Sequence, residues 1–164
     1  MLRTTLKMMA MLACLAAWIL APAPAFAQQA SELADSLSPR ILFATSGGFW
    51  EKTVEGSDAG ASPQRGYYRL VAIRGEDNRS LLELQEIALG PDGPALASTI
   101  GIDEINNLGG YITDIRPEDS TGSASQQGFG AYIYLKTDPS VVEPETWVLY
   151  IDEFGEMLVE RSSN

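Results

Sequence analysis

Histidine is absent from this chain of 164 residues, and that absence excludes more chemistry than any motif admits. Without an imidazole there is no Ser-His-Asp or Cys-His hydrolase, and no zinc, copper or haem held by histidine. Nor is there any side chain whose unperturbed titration falls between about pH 5 and 8. Cysteine occurs once, as Cys14, so a disulfide within the chain cannot form, and nothing beyond residue 14 offers a thiolate. Cations are scarce as well: 11 Lys and Arg face 22 Asp and Glu. Long apolar runs are missing except for Met8 to Leu20, which is short for a bilayer and ends in Ala-Pro-Ala-Pro, so no membrane span is expected. What survives is carboxylate, tyrosine or Ser-Lys chemistry, an oxygen-ligated hard metal, or no catalysis. The expectation is a protein that is not an enzyme and uses no cofactor and no metal.

The N-terminal residues carry an address. Arg3 and Lys7 precede the apolar run, and Ala25-Phe26-Ala27 places small residues where a signal peptidase reads. Residues 1–27 therefore read as a secretory signal peptide with Gln28 as the first mature residue, and the expected location is periplasmic or secreted. Met11 and Leu12 do not form the usual lipidation pattern before Cys14, and the apolar run continues past it. An exported domain without a disulfide points to a bacterial envelope. Arg3 and Lys7 belong to the signal and no acid does, which leaves nine cations against 22 carboxylates, a formal charge of −13. A field of that sign repels phosphate backbones and anionic lipid, so nucleic acid is not an expected partner and a basic one is favoured.

Residues 28–39 read as a tail or one short helix, and residues 40–164 as a single β-rich domain. Ile41-Leu42-Phe43-Ala44 predicts a first short strand, with Gly47-Gly48 as a sharp bend before Phe49-Trp50. Tyr67 to Arg74 is aromatic and β-branched enough to be a strand, and Gly75 to Asn78 is turn-like. Ser80 to Leu89 satisfies both helical and strand patterns; its β-rich neighbours favour the strand. Residues 53–66 and 118–128 are polar loops, and Gly90 to Pro94 is a firm break before another short strand over 95–100. Ile102, Ile105 and Leu108, with Asp103 and Glu104 ahead of them and Gly109-Gly110 behind, predict a helix of one or two turns.

The last forty or so residues alternate most cleanly. Phe129, Ala131, Ile133 and Leu135 define one face of a strand, and Gly130, Tyr132, Tyr134 and Lys136 the other. Trp147, Leu149 and Ile151 alternate with Val148, Tyr150 and Asp152 before the turn Glu153-Phe154-Gly155 and a returning arm. About seven short strands with one short helix predict a mainly β fold, an antiparallel β sandwich or a small β barrel.

Gly48-Phe49-Trp50 resembles the Gly-x-Trp of the lipocalin first strand, and Lys136-Thr137-Asp138 resembles a later lipocalin motif containing Thr-Asp. The resemblance implies a tryptophan closing one end of a barrel. It covers only these residues and departs from the family where residues 42–46 read as strand instead of short helix. The plainer reading is a core or rim tryptophan.

The acidic groups Asp103-Glu104, Asp114 with Glu118-Asp119, and Asp152-Glu153-Glu156 lack the alternating loop of an EF-hand and read as helix, strand-end and hairpin positions. Aromatics carry the stronger signal. Tyr132, Tyr134, Trp147 and Trp50 are the candidate partner-binding residues, because Tyr and Trp dominate binding hot spots. The expected function is an exported, non-catalytic binding protein, an inhibitor or accessory factor acting on another exported or envelope protein. The alternative is a carbohydrate-binding module that stacks these rings on envelope glycan.

Overall fold

Residues alternating between apolar and polar at a period of two can bury one face of a strand and wet the other, and most of this chain is written that way. The computed structural model describes residues 25–53, 62–118 and 127–162. The charged and apolar parts of the expected signal segment lie outside the described residues, as do 54–61 and 119–126 of the two polar loops. The chain divides into two units, residues 1–38 and 39–164. In the first, helix α1 spans Ala25–Asp35, so the segment takes the helical form and runs through the expected cleavage point. It ends with Ser36 Oγ donating to the Leu33 carbonyl at 2.7 Å.

The second unit is mainly β: eight strands in two four-stranded antiparallel sheets, the arrangement of a β sandwich. Strands β1 (Ile41–Lys52), β2 (Gln64–Arg74), β3 (Ser80–Gly90) and β4 (Gly93–Gly101) form the first sheet in chain order. Strands β5 (Tyr111–Pro117), β6 (Phe129–Lys136), β7 (Glu145–Ile151) and β8 (Met157–Arg161) form the second in the same way. Helix α2 (Asp103–Asn106) connects them, and the turn after it closes at Gly109, whose φ of 64° is left-handed. Residues 80–90 are strand, because the Asp77-Asn78 turn returns them antiparallel to β2 from Arg74↔Ser80 onward.

The expectations for the first strand and for two of the loops are corrected: β2 already begins at Gln64 and β4 at Gly93. Gly47-Gly48 does not end a short first strand; β1 continues to Lys52 through a bulge. Gly48 sits at φ 58°, and a Cβ there would lie 2.0 Å from the Gly128 carbonyl oxygen. The glycine lets β1 approach the start of β6, where Phe49 and Gly128 exchange backbone hydrogen bonds at 3.2 and 2.9 Å. A second seam joins the sheets elsewhere. Ser80 N–H donates to the Gly110 carbonyl at 2.9 Å, and the buried Ser80 Oγ accepts from Ile112 N–H at 3.0 Å.

The core lies between the sheets and draws on both. Tyr68, Leu70, Ala72, Leu82 and Leu84 meet Ile112, Ala131, Ile133, Leu135, Leu149 and Ile151, with Ile102 and Ile105 of the helical connection. The helix is tied to the sheet by Asn106, whose side-chain amide copies a peptide group. Its Oδ1 accepts from Leu82 N–H at 2.7 Å, and its Nδ2 donates to the Leu82 carbonyl at 3.1 Å. That pairing extends β3 beyond Gly101, where β4 ends.

Candidate functional site

The second sheet turns its other face to solvent. Since Ala131, Ile133 and Leu135 are buried, the residues between them point outward. Tyr132 is exposed there and pairs with Val148 on β7; Gly130 pairs with Tyr150, and Tyr150 with Leu158 on β8. Tyr134, Tyr132 and Tyr150 thus descend the face diagonally, flanked by Val148 and Leu158.

Charged groups rim the rings. A Cβ on Gly130 would meet the Glu118 carboxylate at 2.4 Å, so Glu118 lies across the space this glycine leaves. The Glu118 carboxylate accepts a hydrogen bond from the Tyr132 hydroxyl, and that bond holds the phenol above its usual pKa. Arg116 sits 5.0 Å from the centre of the Tyr134 ring and pairs with Asp114 at 2.7 Å, which raises its own pKa. Glu160 stands opposite Val148.

The two tryptophans lie elsewhere. Trp50 is 3% exposed, packs against Gly66, and donates from Nε1 to the Tyr67 carbonyl at 3.2 Å. This is a core tryptophan, the plainer of the two readings its motif allowed. Trp147 alternates onto the inner side of β7 and packs half-buried against the core, and its buried Nε1 has no hydrogen-bond partner among the described residues. Of the four candidate residues, the structure brings together Tyr132 and Tyr134 and separates Trp50 and Trp147 from them. Tyr150, which takes the neighbouring place on the face, was visible in the alternation: two residues cannot share a face when they sit three apart in a strand.

The Trp50 end of the sandwich holds the other polar cluster. Lys52 lies 5.2 Å over the Trp50 ring and pairs with Glu86 at 2.7 Å, and Glu86 accepts from Ser98 Oγ at 3.1 Å. Tyr68, stacked on Phe129 with ring centres 6.0 Å apart, has its hydroxyl pKa pushed up to about 12 by burial and by the charges of Glu86 and Asp152. A phenol so placed keeps its proton and makes a poor base. The space beside it is about 30 Å³, room for a water and no larger ligand.

The acidic groups have structural work. Asp114 holds Arg116, and Asp152 Oδ1 accepts from the N–H groups of Phe154 and Glu156 at 2.9 and 2.8 Å, closing the β7–β8 turn in which Gly155 has φ 84°. Asp103 and Glu104 occupy the first turn of α2. No helix among the described residues is long and apolar enough to cross a membrane.

Fold and surface together define an acidic, two-sheet antiparallel β protein with a tyrosine-bearing outer face. Comparison with protein-family models, with characterised proteins and with solved structures finds no match for this chain.

Proposed function

We propose that this is an exported, periplasmic or secreted, non-catalytic binding protein that grips another exported or envelope protein through the outer face of β5–β8. The observation that carries the reading is the exposure of Tyr132, Tyr150 and Leu158 on neighbouring register positions of one sheet whose opposite side is the core. Tyrosine brings large area at little entropic cost, and a rigid sheet presents it without ordering a loop. Glu118 and Glu160 at the rim favour a partner with cations around an apolar centre. An inhibitor or accessory factor of a basic envelope protein fits that description.

Stacking on glycan is the competing use, and it needs open ring faces in a row. Arg116 covers one side of Tyr134, and Trp147 faces inward, so two of the expected stacking surfaces are taken.

The test is affinity capture from envelope extract with the tagged protein, purified from the exported fraction, beside its Tyr132→Ala and Tyr150→Ala variants. A stoichiometric basic protein, bound at least about thirtyfold more weakly by either variant, supports the reading. Equal retention by wild type and variants, or retention of oligosaccharide alone, overturns it.

A further inference from the structure

Pairing is the default for a cation in this protein, because 22 carboxylates surround nine cations beyond residue 27. Lys52, Arg65, Arg116 and Arg161 each have a carboxylate within 3.5 Å. Arg69 donates to Gln85. Like Arg69, the cations Arg74, Arg79 and Lys136 have no carboxylate partner among the described residues. Arg74, Arg79 and Lys136 line one cleft of about 580 Å³, and Asp77 is the single carboxylate among the described residues of its wall. The cleft forms where the β2–β3 turn, the connection from α2 to β5 and the end of β6 meet.

Each cation is mounted on a constrained piece of backbone. Asp77 and Asn78, at φ 55° and 59°, make a two-residue turn of the kind that matches strand twist, closed by Arg79 N–H to the Glu76 carbonyl at 3.1 Å. Arg74 is held at both backbone groups by Arg40: its N–H donates to the Arg40 carbonyl at 2.7 Å, and its carbonyl accepts from Arg40 Nε at 2.9 Å. Arg79 lies against Gly109, where a Cβ would stand 3.5 Å from the guanidinium carbon. Gly110 lets β5 come up to β6, since a Cβ there would be 2.8 Å from the Lys136 carbonyl oxygen. The double glycine of the turn after α2 therefore lines the cleft.

We propose that this cleft is a binding site for a small, multiply charged oxyanion, of the phosphate-ester or polycarboxylate class. The volume falls within the range of small-molecule sites, about 300–1,000 Å³. Two guanidinium groups offer paired N–H donors that match oxyanions, and the ammonium adds a point charge. Tyr111 and Pro139 supply an apolar wall for the ligand's carbon frame. Three cations against one carboxylate ask for at least two negative charges. The acidic remainder of the molecule opposes an anion at long range, but at physiological ionic strength its field decays over about 8 Å, whereas the cleft acts at contact.

The test is calorimetric titration of the purified protein with inorganic pyrophosphate, with citrate, and with glucose as the neutral probe, supported by amide chemical shifts. Saturable binding of pyrophosphate or citrate is expected, with shifts at residues 75–79, 109–111 and 136–139. Binding of pyrophosphate alone assigns phosphate esters, and of citrate alone polycarboxylates. Arg79→Ala and Lys136→Ala each weaken binding about tenfold, while Arg161→Ala, outside the cleft, leaves it unchanged. The amide spectra of the variants verify the fold. No saturable binding of either anion, or binding indifferent to Arg79→Ala and Lys136→Ala, overturns the proposal.

Discussion

Two side chains show how much one residue decides in this fold. Asn106 makes both hydrogen bonds that a strand residue would make with Leu82. Asn106→Ala leaves a buried N–H without its acceptor at the edge of the core, and a loss of about 2–3 kcal/mol in urea denaturation is expected. A loss below half that would show that water takes the place of the amide. Tyr68 governs the alkaline limb. Its folded pKa, pushed up to about 12, lies above the ordinary tyrosine value of 10.0, so the folded state holds this proton more tightly than the unfolded chain does. The stability it contributes is complete below pH 10 and is lost as pH rises through 12. Titration of phenolate absorbance should show a phase near pH 12, and Tyr68→Phe should remove that phase. Retention of the late phase in Tyr68→Phe would assign it to another tyrosine.

At the scale of elements, the packing of β1 on β2 depends on a missing side chain. Trp50 lies beside Gly66, where a Cβ would fall 2.3 Å from the indole ring and 2.0 Å from the Ile87 carbonyl oxygen. The second contact is with backbone and cannot swing away. Gly66→Ala should therefore cost about 3 kcal/mol and shift Trp50 fluorescence to the red, with thermal unfolding and emission spectra as the readouts. An unchanged Tm would mean that β2 shifts against both β1 and β3 to make room. Strand identity was legible here from alternation, as in Phe129 to Leu135, and the ambiguous 80–90 segment was settled by its turn. The bulge in β1 was not legible: Gly47-Gly48 reads as a bend in isolation, and only the approach of Gly128, some eighty residues later, makes it a continuous strand.

Charge is a property of the whole molecule. Exposed ion pairs contribute about 0–1 kcal/mol each and weaken with salt, and four of them are formed among the described residues. Against them stands a surplus of eleven negative charges spread over residues 39–164, where 20 carboxylates face nine cations. Repulsion among that surplus outweighs the pairs, so Tm should rise as salt goes from about 10 to about 150 mM and the screening length falls from about 30 to about 8 Å. A Tm that falls over this range would give the ion pairs the larger share. Because residues of both sheets enter one core, the sheets should unfold together in a single transition.

What the amino acids determined alone was chemistry and class: no imidazole, an acidic surface, export signalled by residues 1–27 as an expectation, and strands from local alternation. Period-two patterning is a property of neighbours in the chain, so it survives without the fold. It even paired Tyr132 with Tyr134. Tertiary structure alone decided which strands lie side by side, and hence the register that sets Tyr150 opposite Gly130, next to Tyr132. It alone gathered Arg74, Arg79 and Lys136 into one cleft. Convergence of that kind depends on register and turn geometry summed over sixty residues, and no local pattern encodes such a sum.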